Sequence, residues 1–121
     1  MPVTFEIDVS RAFVTTTVTG TVTVADMLTY QATLVAHPQF SPDFDSLSDF
    51  TASDPFTASP DDIRRLAENL PFRPGTRRAY VASSDLHFGL SRMAQAYSAA
   101  SGLEAQVFRD RAAALAWLGR E

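Results

Sequence analysis

The sequence predicts a single α/β domain built on a mixed sheet of five strands and flanked by four helices. Three observations carry that expectation. Its 121 residues suit one domain with one core. Short β-rich runs alternate with segments of helical periodicity, the order of a largely parallel sheet with right-handed crossovers. The first two strands are separated only by a turn, so the sheet opens with an antiparallel hairpin.

Each element has its own warrant. VTFEIDV, residues 3–9, sets Val3, Phe5, Ile7 and Val9 on one face, the period of two of a strand. Ser10 and Arg11 make a short turn. AFVTTTVTG, residues 12–20, is dense in the β-branched residues that fit a pleated surface. In TVADMLTYQATLVAHP, Thr23 and Asp26 stand three apart as a capping box, with Val22 and Met27 at the hydrophobic-staple positions. Val24, Met27, Leu28, Gln31, Leu34 and Val35 share one helical stripe, and Pro38 ends it.

Residues 39–46 read as loop and LSDFT, residues 47–51, as a short central strand. The second helix follows Ser59-Pro60-Asp61-Asp62, with Ile63, Leu66, Ala67 and Leu70 at i, i+3, i+4, i+7. After the breaker-rich PFRPGT, RRAYVAS (residues 77–83) is a strand. A third helix runs from about Asp85 to Ser101, turning Leu86, Leu90, Met93, Ala94 and Tyr97 inward, and Gly102 ends it. EAQVFR, residues 104–109, is the last strand, and Asp110 caps a final helix, RAAALAWLG.

Composition narrows the function. With 45% hydrophobic and 20% charged residues, the chain reads as an ordinary soluble globular protein. It has no cysteine, which excludes disulfides, thiolate zinc sites and cysteine nucleophiles. No run of about 18 apolar residues is present, so no membrane insertion is expected. The N-terminus lacks the charged-then-apolar order of a signal peptide, and the expected location is the cytoplasm. Every basic residue is arginine. Residues 1–63 carry Arg11 against nine acids and residues 64–121 nine arginines against five, and the total is −4. That balance argues against a nucleic-acid partner, and the cluster Arg73, Arg77 and Arg78 is too small to reverse it.

Three stretches carry a family likeness: VTGTVTVADML (18–28), LHFGLSRMAQAY (86–97) and VFRDRAAALAWLG (107–119). With the order of elements, they resemble small bacterial STAS-like, anti-sigma-factor-antagonist-like domains, whose fold overlaps that of lipid-binding CRAL-TRIO-type domains. The resemblance implies a non-catalytic cytoplasmic regulatory or protein-interaction module, a homodimer with an unidentified protein partner. The alternative is a domain that binds a small apolar or anionic ligand. True antagonists are phosphorylated on a serine of an Asp-Ser-Ser/Thr-Gly type motif between the third strand and the second helix. The same connection here is DFTASDPFTASPDD, which lacks that tetrapeptide. Thr57 and Ser59 hold the corresponding place as candidate phosphoacceptors. Ser59 is also fully explained as a helix cap, which leaves Thr57 the freer of the two.

Ligand-binding candidates fall in two groups. Ser83, Ser84, His87, Gly89 and Arg92 belong to a parallel strand's carboxyl edge and the helix start after it, where α/β sheets bind ligands and helix N-termini favour anions. The competing account makes Ser84 a cap and Gly89 an aid to tight helix–sheet packing. Phe40, Phe44 and Phe56, with Phe50 between them, could line a pocket or a dimer patch, or pack their loop back on the sheet. His37 and His87 have no helical i, i+4 partner and make a poor metal set. Ser83, Ser84, Asp85 and His87 are sequence neighbours, unlike a triad gathered from separate loops. No catalytic residue, metal or cofactor is assigned.

Overall fold

Two runs of alternating apolar residues meet across a tight turn and open the sheet as a hairpin. In a computed structural model that describes residues 2–55 and 58–120, β1 (Val3–Asp8) and β2 (Phe13–Gly20) pair antiparallel, Val3 opposite Val18 and Asp8 opposite Phe13. The turn is wider than the Ser10–Arg11 expected. The Asp8 carboxylate accepts from the Ser10 hydroxyl at 2.8 Å and the Arg11 amide at 3.1 Å. Ala12 closes the turn at φ 54°, a left-handed conformation. Val9 consequently leaves the strand and is 52% exposed.

The remaining elements follow in the expected order: α1 (Val24–Ala36), β3 (Asp45–Ser53), α2 (Pro60–Glu68), β4 (Arg77–Val81), α3 (Asp85–Ala99), β5 (Glu104–Phe108) and α4 (Arg111–Leu118). Thr23 and Asp26 form the reciprocal capping box of α1. β3 outruns LSDFT at both ends because its ladder to β2 extends from Phe13 opposite Asp45 to Gly20 opposite Ser53. Pairing, rather than apolar content, sets its length. β4 stops at Val81, short of the expected Ser83. Leu86 and Val35, inward-facing by the helical pattern, are exposed. In each case the neighbouring residue, His87 or Leu34, takes the buried position on the helix.

The strand order is β1-β2-β3-β4-β5, with β2 to β5 all parallel. Crossovers of one hand between successive neighbours carry α1, α2 and α3 to the same face of the sheet. α4 covers the other face, where Ala114 and Leu118 pack on Phe13, Leu47, Ala79 and Val81. Met27, Tyr30 and Ala94, from α1 and α3, pack with Val18, Phe50 and Tyr80 of the sheet. α2 packs mainly against α3 and α1 instead of on a strand. The charge imbalance between the halves resolves inside the fold, as Arg73 pairs with Asp43, Arg111 with Asp49 and Arg120 with Asp45.

Candidate functional site

Central parallel strands covered on both faces normally carry continuous apolar runs. Toward α4, β3 and β4 set Leu47, Ala79 and Val81 in the core, and the charged residues of that face, Asp45, Asp49 and Arg77, are paired with Arg120, Arg111 and Glu104. Toward α1–α3 they present Ser46, Ser48 and Arg78, and the ladder sets Ser46 beside Arg78 and Ser48 beside Tyr80. Thr16 of β2 continues the row opposite Ser48. Thr16, Ser46 and Arg78 are all buried. A polar row thus crosses the middle of a covered sheet face.

Above that row lies a cavity of about 80 Å³. α2 forms its roof through Ile63, Leu66, Ala67 and Leu70, while Met27, Tyr30 and Gln31 of α1 make one wall. His87, Leu90, Ser91 and Ala94 of α3 make the opposite wall, and Phe72 closes one end. Among the described residues no aspartate or glutamate lines it.

Arg78 dominates the electrostatics. Its side chain is 2% exposed and its guanidinium carbon lies 3.9 Å from the ring centroid of Phe72, a cation–π contact. Nε and Nη2 are buried without a hydrogen-bond partner, and Arg78 is in none of the ion pairs among the described residues. Burial pushes the guanidinium below its ordinary value, opposed by Tyr80, Tyr30 and Asp45. A buried charge without a partner is costly, so this one demands an explanation that packing does not supply.

The surrounding polar groups are mostly fixed. Tyr30 shares a 2.6 Å hydrogen bond with the Thr16 hydroxyl. Burial raises the phenols of Tyr30 and Tyr80 above their ordinary value. Gln31 Nε2 donates to the Leu66 carbonyl at 2.8 Å, leaving Gln31 Oε1 buried without a partner. Ser84 is the N-cap of α3: its hydroxyl accepts from the His87 amide at 3.1 Å and bonds His87 Nδ1 at 2.9 Å. The imidazole stacks on Phe50, with centroids 6.0 Å apart.

Of the ligand candidates named from sequence, the structure brings His87 to the cavity and Ser84 to His87. Ser83, Gly89 and Arg92 are exposed and do not line it. A Cβ at Gly89 would meet nothing within 4 Å, so neither close packing nor a close backbone approach accounts for that glycine. Phe40 and Phe44 pack at the other end of the sheet, in a cluster with Val14, Leu34 and Phe72. Phe56 and Thr57 lie outside the described residues. Ser59 is the N-cap of α2, with Asp62 completing the capping box and Pro60 in the first turn. Among the described residues no cluster of three or more aspartate, glutamate or histidine side chains could hold a metal, and no helix is long and apolar enough to cross a membrane.

Arg78, Ser46 and Ser48 are not among the residues that sequence reasoning singles out as ligand contacts, and Gln31 stands there only as a member of an apolar stripe. Their signal is nonetheless present in the sequence: polar residues at inward positions of central strands and of a buried helix stripe.

No protein-family model matches the chain, and no curated protein matches it. Among solved structures it is similar to an uncharacterized protein from the DUF3478 family with a SpoIIAA-like fold from Shewanella loihica PV-4. The TM-score is 0.63 and the identity 21%, covering 96% of this chain and 93% of that one. The chain has the SpoIIAA-like fold, the STAS-like α/β architecture that the sequence predicts.

Proposed function

We propose that this STAS-like domain is a non-catalytic binding module that takes a small molecule between the sheet and α2. One observation supports the reading above the rest: a buried arginine without a hydrogen-bonding or ionic partner lines a cavity whose remaining walls are largely apolar. Binding sites combine an apolar enclosure with a few polar groups that fix orientation.

A regulatory or protein-interaction role follows naturally from the same site. α2 covers the cavity with one face and shows Arg64, Arg65 and Glu68 to solvent with the other, so an occupant that shifts α2 alters an exposed surface. Homodimerisation draws support from Val9 and Val35, exposed apolar residues just after β1 and at the end of α1.

Native mass spectrometry on protein gently purified from its own source, followed by a denaturing run, tests these readings. An adduct lost on denaturation is the expected result, in a species with twice the chain mass. A bare protein would count against the pocket. A single added phosphate that survives denaturation would move the weight to Thr57 or Ser59 as a regulated hydroxyl.

A further inference from the structure

The arginines of this chain fall into distinct environments. Arg64, Arg73, Arg77, Arg109, Arg111 and Arg120 each pair with a carboxylate. Arg11, Arg65 and Arg92 are exposed to water. Arg78 is the exception among the described residues, buried and without an anionic partner. It stands on a central strand in a chain with more acids than bases, yet among the described residues no acid lines the cavity it borders.

The two unpartnered atoms define what would fit. Nε and Nη2 are the side edge of the guanidinium, where two N–H bonds run parallel. That spacing matches the two oxygens of a carboxylate and engages both at once. A tetrahedral phosphate would satisfy the same edge but would bring a further negative charge, and among the described residues Arg78 is the one arginine that lines the cavity, so that charge would be desolvated without a counterion. Phe72 covers one face of the guanidinium and Nε and Nη2 are sealed from solvent, so a carboxylate engages that edge only as the side chain turns toward the cavity it lines. Size sets the remainder of the ligand. A cavity of roughly 150 Å³ takes the six carbons of a benzene; with about 80 Å³ here, the space suits a carboxylate with a one-carbon body, as in acetate.

We infer that the pocket is specific for a small aliphatic carboxylate, held by the Nε–Nη2 edge of Arg78 with its aliphatic body under α2. The inference rests on the binding reading above and narrows it to one ligand class. Recognition is by charge and by planar shape together, because the edge presents two donors in one plane.

The test is an NMR titration of the full chain with acetate, with acetamide as its neutral isostere and with inorganic phosphate. It follows the Arg78 Nε–H and the backbone amides of the cavity walls. Acetate is expected to bind saturably and to shift those signals, with acetamide weaker by at least roughly tenfold, a difference that one well-made ionic contact readily supplies. Phosphate is expected to leave the cavity signals in place. In Arg78→Met the preference for acetate over acetamide is expected to vanish. Arg78→Lys, which keeps the charge and loses the fork, should retain only part of it. If Arg78→Met does not fold, the comparison of acetate with acetamide on the wild type decides alone. Equal binding of the two would overturn the carboxylate inference and leave the binding reading standing, and so would phosphate binding in place of acetate. Failure of every probe to reach the cavity would overturn both.

Discussion

Gln31 on α1 ties down α2: its Nε2 donates to the Leu66 carbonyl at 2.8 Å, the one side-chain hydrogen bond between these helices among the described residues. α2 packs mainly on α3 and less on α1, so this bond and that packing fix how tightly the cavity is roofed. Gln31→Ala removes the tether from a buried position and is expected to cost about 1–3 kcal/mol. The loss should be local. Native-state hydrogen exchange is expected to show the amides of α2 losing protection before those of α3 and β4. An equal loss across all three would mean that α2 is held by packing alone.

Gly89 gives a prediction of opposite sign. It lies within α3, exposed, and an alanine methyl there would meet nothing within 4 Å. Glycine inside a helix costs about 0.5–1 kcal/mol against alanine through backbone entropy. Gly89→Ala is therefore expected to stabilise the fold by that amount in denaturant titration. A destabilised variant would show that the backbone at Gly89 approaches something in solution.

Ser59 accepts from the Asp62 amide at 3.1 Å, and the Asp62 carboxylate accepts from the Ser59 amide at 3.0 Å. Ser59→Ala is expected to cost about 1 kcal/mol of stability by removing this cap. The Asp62 carboxyl is held below its ordinary value of 3.8 by the Ser59 amide first and the Ser59 hydroxyl second. A lowered folded value means stability that is present above pH 3.8 and lost as pH falls through the folded value. The acid limb of the stability profile should accordingly flatten in Asp62→Asn. An unchanged acid limb would show that the cap does not titrate as the geometry requires.

The alkaline limb tests the buried phenols. Tyr30 and Tyr80 are both raised, mainly by burial, from an ordinary value of 10.0. Groups raised on folding contribute stability that is complete below pH 10.0 and is lost as pH climbs through their folded values. Tyrosinate absorbance is expected to rise together with unfolding as pH passes well above that point. A titration of Tyr30 and Tyr80 near pH 10.0, with the fold intact, would place both phenols in contact with water.

The architecture is legible in the sequence because its signals are local. Alternation in β1 and β2, the Thr23–Asp26 and Ser59–Asp62 boxes and the spacing of Ile63, Leu66, Ala67 and Leu70 each fix an element from neighbouring residues. The cavity is less legible because it is assembled across elements. That Arg78 points under α1–α3 while Arg77 turns to Glu104 and Trp117 depends on strand register, which the two arginines as neighbours do not reveal. The strand edge near Ser83 draws attention because ligands in open α/β sheets gather where the strand order reverses. The parallel strands here run in sequential order without reversal, so the sheet has no such switch point. The residues that break the rule for a covered sheet, Ser46, Ser48 and Arg78, are the better guide, since departures from local consistency gather at functional sites.

The sequential strand order also governs how the chain comes into being. Every strand lies beside the one made just before it, so the sheet can grow from the N-terminus in the order in which a ribosome releases it. The cavity cannot exist early in that process: it has no Arg78 until β4 emerges and no far wall until α3 has folded. Until then the face that will become its floor shows Thr16, Ser46 and Ser48 to water, hydroxyls where most sheets would show bare hydrocarbon. The hydroxyls that line the floor of the finished cavity would thus keep the half-made protein soluble.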